Sequence, residues 1–304
     1  MRVAITGASG LIGTALRASL RADGHEVLSL VRREAGDNES QWDPAEGVID
    51  ADAVLKCDVV VNLAGASIGD KRLTKSYQHV VRKSRTDSTG LIARTLASGW
   101  DGVLIQGSAM GYYGARGEEQ LNERSSSGDT ILASIVRDWE ASAAPAVEAG
   151  VRTVFIRTGL ILAPFGGFAD RLIPLVRRGL LSRLGPADTW HAWIALDDHV
   201  RAVRFLIDTD HEGPANLLAP QPVRDADLIK ALADALGKGT GLPVPGWAMK
   251  VAVGEAATDL LSSQRATPGV LTRLGFEWDY PTIEDAARHI IAEAGLAPPA
   301  SHAA

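Results

Sequence analysis

MRVAITGASGLIG, residues 1–13, places a short apolar run before a glycine-rich turn and a helical pattern. This order predicts a strand, a turn and a helix. Gly7 and Gly10 carry no side chain, so a pyrophosphate can approach the backbone, and Gly13 lets the helix pack close to the strand. The helix N-terminus, with free N–H groups and about half a positive charge, favours a bound anion. The GxxGxxG spacing therefore predicts a nucleotide site or, alternatively, a tight connection without a ligand. The residues predicted to contact the nucleotide are Gly7, Ser9, Gly10, Leu11, Ile12 and Gly13.

Two arginines follow the second predicted strand. That strand runs from His25 to Val31, and Arg32 and Arg33 stand at its tip, where many dinucleotide-binding proteins have an acidic residue. A carboxylate at this place binds the ribose 2′-hydroxyl of NAD, whereas an arginine accommodates the 2′-phosphate of NADP. The pair therefore predicts that Arg32 and Arg33 bind NADP in preference to NAD, a solvated pair on a loop being the alternative.

The composition is that of a globular chain with a sizeable core. Of its 304 residues 46% are hydrophobic, and the net charge is −6. This balance disfavours nucleic acids and anionic membranes as partners, because both require clustered lysine and arginine. No apolar stretch reaches the roughly 18 residues of a membrane span, and the N-terminus is predicted to be a folded strand rather than a signal peptide. These features predict a cytoplasmic protein with a small-molecule substrate, and they leave its oligomeric state open.

Apolar runs alternate with helical patterns along the first 165 residues. Strands are predicted at Asp58 to Asn62, Val103 to Ile105 and Val154 to Ile156. Each is a continuous apolar run, as expected for a parallel sheet that is buried on both faces. Helices are predicted between them, over Leu73 to Leu96 and Ile131 to Glu148. The alternation predicts the α/β class with a Rossmann-type doubly wound parallel sheet.

The pattern changes after residue 165, where a glycine-containing loop and an irregular stretch replace the alternation. Helical spacing of apolar residues returns after Asp225. This change predicts a small, mainly helical C-terminal lobe that binds the substrate. The predicted divisions are an NADP-binding domain at 1–165 with a return near 195–220, a substrate lobe at 166–194 and 221–295, and a frayed tail at 296–304.

Loops at the carboxyl ends of parallel strands form the crevice in which such a fold binds its ligand. Asn62, Ala64 and Gly65 lie in the first of three distinctive loops and leave room for an adenosine or a ribose, a plain turn being the alternative. In another of these loops, Pro164 is predicted to border the nicotinamide.

The remaining loop carries hydroxyl groups. It brings Ser108 and the phenols of Tyr112 and Tyr113 to the sheet edge, between glycines. Two adjacent tyrosines cannot both point into one core, so at least one of them is predicted to line a substrate pocket. Packing of both against the protein is the alternative.

Seven blocks of the sequence resemble the extended short-chain dehydrogenase/reductase superfamily. Within it, residues 1 to about 294 are similar to an epimerase-like branch of uncharacterised function, in the NAD-dependent epimerase/dehydratase family. The resemblance implies a Rossmann fold and hydride exchange at a nicotinamide. It also implies a YxxxK tyrosine as acid or base, a lysine that lowers its pKa and a serine that orients the substrate. The blocks are TGASGLIG (6–13), NLAGASI (62–68), SAMGYYG (108–114), RTGLILAP (157–164), AWIALDD (192–198), NLLAPQPV (216–223) and SSQRATPGVLTRLGF (262–276).

The chain departs from this family pattern in one helix. Residues 129–140, DTILASIVRDWE, contain neither a tyrosine nor a lysine. A phenol with its ordinary pKa of about 10 is a poor base at neutral pH unless a nearby cation lowers that value. Two hypotheses follow. The chain is an NADP-binding, epimerase-like oxidoreductase that acts on a small hydroxyl- or carbonyl-bearing substrate such as a sugar nucleotide, with Ser108 and Tyr112 or Tyr113 as catalytic residues. Alternatively, it is a non-catalytic NADP-dependent binding or sensor protein.

Other polar residues leave alternatives open. Trp139 and Glu140 together resemble a Trp-Glu pair of the family. The alternative, that Glu140 is a carboxylate on the helix surface, is equally consistent with the sequence. Arg265 is suited to an anionic substrate group or to pairing between lobes. The adjacent residues Asp197–His199 stand at a helix start and rarely point at one ion, so no metal site is predicted.

Overall fold

A mostly parallel sheet of eight strands forms the centre of the fold in the computed structural model, which describes residues 1–68, 71–167, 169–183, 186, 188–241 and 263–297. The strands in chain order are β1 (Arg2–Thr6), β2 (Glu26–Val31), β3 (Glu39–Asp43), β4 (Val48–Ile49), β5 (Val59–Asn62), β6 (Val103–Ala109), β7 (Gln120–Leu121), β8 (Arg152–Thr158), β9 (Leu160–Leu162), β10 (Trp190–His191), β11 (Trp193–Ala195), β12 (Gly213–Leu217), β13 (Val223–Arg224) and β14 (Arg265–Ala266).

The order of strands in the large sheet is β12-β8-β6-β5-β1-β2-β3-β4. Its neighbouring strands run parallel except for the pair β3 and β4. The order reverses at β1, which lies between β2 and β5. A ligand crevice is expected at such a reversal, outside the carboxyl ends of the strands.

Helices cover both faces of this sheet. Alternate residues of β1 therefore belong to two different cores: Val3 and Ile5 pack with α1 and α7, whereas Ala4 packs with α3 and α5. Burial on both faces explains why the central strands are continuous apolar runs, and the predicted fold class is confirmed. The helices are α1 (Leu11–Ala22), α2 (Ala51–Leu55), α3 (Lys75–Leu96), α4 (Ile131–Ala141), α5 (Ala144–Glu148), α6 (Ala169–Arg177), α7 (Leu196–Ile207), α8 (Asp225–Ala235), α9 (Gly269–Leu274) and α10 (Ile283–Glu293).

The helix predicted over Ile131 to Glu148 is divided in the structure. It ends at Ala141, and a second short helix starts at Ala144 with Pro145 in its first turn. Proline has no N–H to donate and fits only the start of a helix, so the break follows from Pro145. At the other end, the side chain of Thr130 accepts a hydrogen bond from the Ala133 N–H and fixes the start of α4.

A separate core lies between the helices of the C-terminal region. The helices α6, α8 and α10 pack together with Leu162 and Trp193, which belong to the short pair of strands β9 and β11. Leu296 packs against the edge of this core, and residues 298–304 of the predicted frayed tail lie outside the described residues. Within the described part of the chain, no helix combines the length and the apolar character needed to cross a membrane.

Candidate functional site

The glycine turn joins β1 to α1 with close contacts between backbone segments. Gly7 has a left-handed φ of 66°, and a Cβ added there would lie 2.8 Å from the carbonyl oxygen of Leu63. A Cβ added at Gly13 would lie 2.3 Å from the carbonyl oxygen of Gly7. Gly10 precedes α1 without a side-chain cap, which leaves the first N–H groups of the helix to a ligand. The turn thus has the bare backbone cradle that a pyrophosphate requires.

The loop after β9 reaches the start of α1. Added Cβ atoms at Gly166 and Gly167 would lie 3.5 Å and 3.1 Å from the side chain of Leu11. Pro164 is half-buried in this loop. The loop therefore borders the glycine turn. The other predicted contact residues of the turn are an exposed Ser9 and a half-buried Ile12.

The two arginines after β2 have different surroundings. Arg33 donates two hydrogen bonds of 2.7 Å to the carboxylate of Glu39, and the bond from Arg33 lowers the pKa of Glu39. Arg32 is exposed and forms no hydrogen bond or ion pair with any described residue. The guanidinium of Arg32 is therefore open to a ligand, whereas that of Arg33 is engaged by Glu39.

Asn62 lies in a buried polar network below the crevice. Its side-chain oxygen accepts a hydrogen bond of 2.6 Å from the Thr6 hydroxyl, and its amide donates to Thr89 at 3.1 Å and to Gln106 at 2.9 Å. The Thr6 hydroxyl also accepts from the backbone N–H groups of Leu63 and Ala64, both at 3.0 Å. The side chain of Asn62 thus positions the loop. Direct contact with a cofactor would fall to the backbone at Ala64 and at the exposed Gly65.

Ser108, Glu140 and Arg157 form a cluster at the carboxyl end of the sheet. The Ser108 hydroxyl donates a hydrogen bond of 2.5 Å to Glu140 Oε1, and Arg157 donates two bonds of 2.9 Å to the same carboxylate. Ser108 and Arg157 are register neighbours on β6 and β8, and Glu140 reaches them from α4. Burial opposes the charge of Arg157, but the hydrogen bonds and negative charge of Glu140 outweigh it and raise the pKa of Arg157.

The two tyrosines of this loop differ in exposure. Tyr113 is fully buried; its hydroxyl donates to Asn216 and accepts from Arg157, each at 2.9 Å, and burial raises its pKa. Tyr112 is half-buried with its ring centre 3.5 Å from Arg157 Cζ, and its hydroxyl makes no hydrogen bond with the described residues. Of the two phenols, only that of Tyr112 is free to meet a ligand.

The cluster includes residues that sequence reasoning did not assign to the site. In the sequence, Arg157 and Asn216 occur only inside the family-like blocks, and two interpretations of Glu140 are equally consistent with its position. Arg157 did carry a signal, because a charged residue at the end of an apolar strand requires a buried partner. The structure supplies that partner in Glu140, whose side chain is 14% exposed.

The candidate site combines a bare-backbone phosphate cradle after β1 with a hydrogen-bonded serine, carboxylate and guanidinium at the carboxyl ends of β6 and β8. Within the described ranges, no group of His, Cys, Asp and Glu side chains is arranged to hold a metal ion. Fold and site together define a Rossmann-type protein of the short-chain dehydrogenase/reductase kind.

Comparison with known proteins assigns the family. Residues 3–217 match the NAD dependent epimerase/dehydratase family, and residues 244–290 match a domain of unknown function, DUF1731. The chain belongs to the NAD dependent epimerase/dehydratase family, which confirms the resemblance seen in its sequence blocks.

Several relatives match over nearly their whole length. An epimerase family protein of Mycobacterium bovis is 41% identical over 287 residues, which cover 93% of this chain and 95% of that protein. The crystal structure of the human epimerase family protein SDR39U1 with NADPH has a TM-score of 0.87 at 28% identity and covers 96% of this chain and 99% of that one. UDP-glucose 4-epimerase of Thermus thermophilus, solved with NAD, shares the fold with a TM-score of 0.74 at 18% identity, over 95% of this chain and 98% of that one.

Proposed function

We propose that the protein is an NADP-dependent, epimerase-like oxidoreductase acting on a hydroxyl or carbonyl group of a small substrate. The observation that carries this proposal is the 2.5 Å hydrogen bond from the Ser108 hydroxyl to Glu140 at the carboxyl end of the sheet. The carboxylate of Glu140 is in turn held by an ion pair with Arg157. The family and the NADPH held by the human relative support the cofactor assignment.

The residues present fit a dinucleotide. Gly7, Gly10 and Gly13 leave the space that a pyrophosphate needs, and Arg32 is available for a 2′-phosphate. When bound, the nicotinamide would supply or accept a hydride. The loop backbone at Ala64 would border the cofactor.

Ser108 and Glu140 would take the place of the missing tyrosine and lysine in proton transfer. In the oxidation direction, the proton of the substrate hydroxyl passes to Ser108 Oγ while the proton of Ser108 passes to Glu140. In reduction the same two transfers run in reverse. Arg157 fixes the carboxylate in position, since its two hydrogen bonds hold both oxygens of Glu140.

Turnover by wild type and variants tests this route. Purified protein is incubated with NADPH and a panel of aldehydes, ketones and keto-sugar nucleotides, and the absorbance of the reduced nicotinamide is followed. Ser108→Ala and Glu140→Gln are each expected to lower kcat roughly a hundredfold or more. Their matched controls, Ser98→Ala and Glu148→Gln, change exposed residues and are expected to keep wild-type rates.

Unchanged kcat in either site variant would contradict the proton route. NADPH binding with no turnover of any compound would instead favour the non-catalytic binding or sensor protein.

The two tyrosines are expected to respond differently. Tyr112→Phe removes a half-buried phenol that makes no hydrogen bond with the described residues, so it should raise KM or lower kcat. Tyr113→Phe removes a buried hydroxyl that is bonded to Asn216 and Arg157, so it should lower the free energy of unfolding by about 1–3 kcal/mol. Kinetics and urea denaturation of both variants check this assignment, and a purely kinetic effect of Tyr113→Phe would contradict it.

Cofactor choice is tested at the two arginines. Arg32→Ala should weaken NADPH binding by about tenfold or more and leave NADH binding unchanged, because a charge-assisted bond to the 2′-phosphate is lost. Isothermal titration with both nucleotides measures this. Equal loss for NADH and NADPH, or no loss, would contradict the role of Arg32. The same titrations with Arg33→Ala measure how much Arg33 contributes while it is bonded to Glu39.

A further inference from the structure

Arg85 on α3 has a guanidinium group with no acidic partner among the described residues. Its Nη1 donates to the carbonyl oxygens of Ala66 at 2.9 Å and Val81 at 3.2 Å, and its Cζ lies 4.9 Å from the ring centre of Trp139. It forms no ion pair with any residue that the structure describes. In the described part of the chain, the side chain is therefore held in place by neutral groups.

These contacts place Arg85 beside the loop that follows β5, at the edge of the sheet where the ligand crevice is expected. A Cβ added at Gly65 would lie 3.1 Å from Arg85 Cζ, so the guanidinium packs against the loop that follows β5. The Ser84 hydroxyl accepts a hydrogen bond from the Ala66 N–H and ties this loop to α3. Trp139, on the other side, directly precedes Glu140 in α4. Arg85 thus lies between the loop that follows β5 and α4, the helix that carries the proposed proton acceptor Glu140.

Two other arginines close to α4 are paired with carboxylates. Arg82, one turn earlier on α3, pairs with Asp138, and Arg157 pairs with Glu140. Partial burial of a charge is costly unless an opposite charge compensates it. Burial lowers the pKa of Arg85 to about 10, which still leaves it cationic at neutral pH. An anion supplied from solution would complete the environment of Arg85.

We propose that Arg85 binds an anionic group, a carboxylate or a phosphate, of the substrate in the crevice. The pyrophosphate of the dinucleotide has its own cradle at the start of α1, so Arg85 is left for the substrate. This inference rests on the proposed function, which places a small substrate beside Ser108 and Glu140. It predicts that this substrate carries a negatively charged group.

Binding of a simple dianion tests the assignment without turnover. Protein saturated with NADPH is titrated with malonate and with inorganic phosphate in a low-salt buffer. Arg85→Met keeps an unbranched apolar side chain beside Trp139 and is expected to weaken binding of both probes at least about tenfold. The control Arg94→Met removes an exposed charge from the same helix and should bind both probes as wild type does.

The outcomes separate the possible roles. Wild-type affinity for both dianions in Arg85→Met, or no binding of them to wild type, would overturn the proposal. A tenfold loss of NADPH affinity in the same variant would also overturn it, because the anion bound by Arg85 would then belong to the dinucleotide. Should Arg85→Met fail to fold, Arg85→Lys keeps the charge but lacks the planar fork, and weaker dianion binding with unchanged NADPH affinity is expected.

The proposal and the proposed function fail in different experiments. If the proposed proton route is wrong, Glu140→Gln will have the kcat of wild type. The dianion titration does not depend on catalysis, so its outcome is independent of that result. If turnover is found, Arg85→Met should raise KM for carbonyl substrates that carry a carboxylate or phosphate and leave KM for neutral ones unchanged. An equal effect on both kinds of substrate would contradict the role of Arg85.

Discussion

His199 is a fully buried imidazole near the crevice. Its Nε2 lies 3.0 Å from the Thr158 hydroxyl, its Nδ1 has no hydrogen-bond partner within the described ranges, and burial lowers its pKa to about 3. The folded protein therefore holds His199 neutral, while the unfolded chain takes up a proton below its ordinary value of about 6.5. The stability that this difference contributes is fully present above pH 6.5 and is lost as the pH falls toward 3.

We expect this single residue to lower the free energy of unfolding by about 2 kcal/mol between pH 7.5 and pH 5. His199→Gln should reduce the acid loss by about that amount, whatever its effect at pH 7.5. Urea denaturation at the two pH values measures the difference, with the exposed His79→Gln as control. If His199→Gln and wild type lose the same stability on acidification, His199 is not the group responsible.

At the scale of elements, the close approach of α1 to β1 depends on Gly13. A methyl group there would meet the Gly7 carbonyl oxygen at 2.3 Å and the Ala8 Cα at 2.8 Å, and both atoms belong to backbone. Gly13→Ala is therefore expected to lower the free energy of unfolding by about 1–3 kcal/mol and to weaken NADPH binding. Gly239→Ala, where an added Cβ meets no atom of the described residues within 4 Å, is the control for denaturation and titration. Wild-type behaviour of Gly13→Ala would show that the turn tolerates a side chain.

The side chain of Glu123 connects β12, the edge strand of the sheet, to α9. Glu123 Oε1 accepts hydrogen bonds from the backbone N–H groups of Asn216 on β12 at 3.1 Å and Val270 on α9 at 3.0 Å. Loss of both should destabilise the protein, so Glu123→Ala is expected to lower the free energy of unfolding by about 1–3 kcal/mol. The exposed Glu277→Ala should have no such effect in the same denaturation series. Equal stability of the two variants would contradict this role of Glu123.

Elements with a local signal could be predicted from the sequence, and contacts between distant elements could not. The apolar run before Gly7 and the glycine spacing after it predict one strand, one turn and the start of one helix within the first thirteen residues. The Glu140 and Arg157 pair depends on where α4 packs against the sheet, which no local pattern encodes. The same reason explains Asn62 and Tyr113: each looked like a crevice residue, but each side chain bonds to partners on other strands.

At the scale of the whole molecule, cofactor binding should appear as a gain in stability. A ligand at a hundred times its Kd stabilises the folded state by about 2.7 kcal/mol, which for a chain of this size is roughly 5 °C in Tm. NADPH is expected to give such a shift in a thermal melt, and NADH at the same concentration a smaller one. Equal shifts would contradict the preference for NADP, and Arg32→Ala should bring the two shifts together.

The strand order of the large sheet bears on how the chain can assemble during synthesis. β1 lies inside the sheet, β2 to β4 extend it on one side, and β5, β6, β8 and β12 extend it on the other in the order of the chain. Each new strand therefore adds to an edge that already exists, and none has to insert between two strands that are already paired. The nascent chain can extend its sheet as it leaves the ribosome, and the free edge of β1 is covered once β5 emerges.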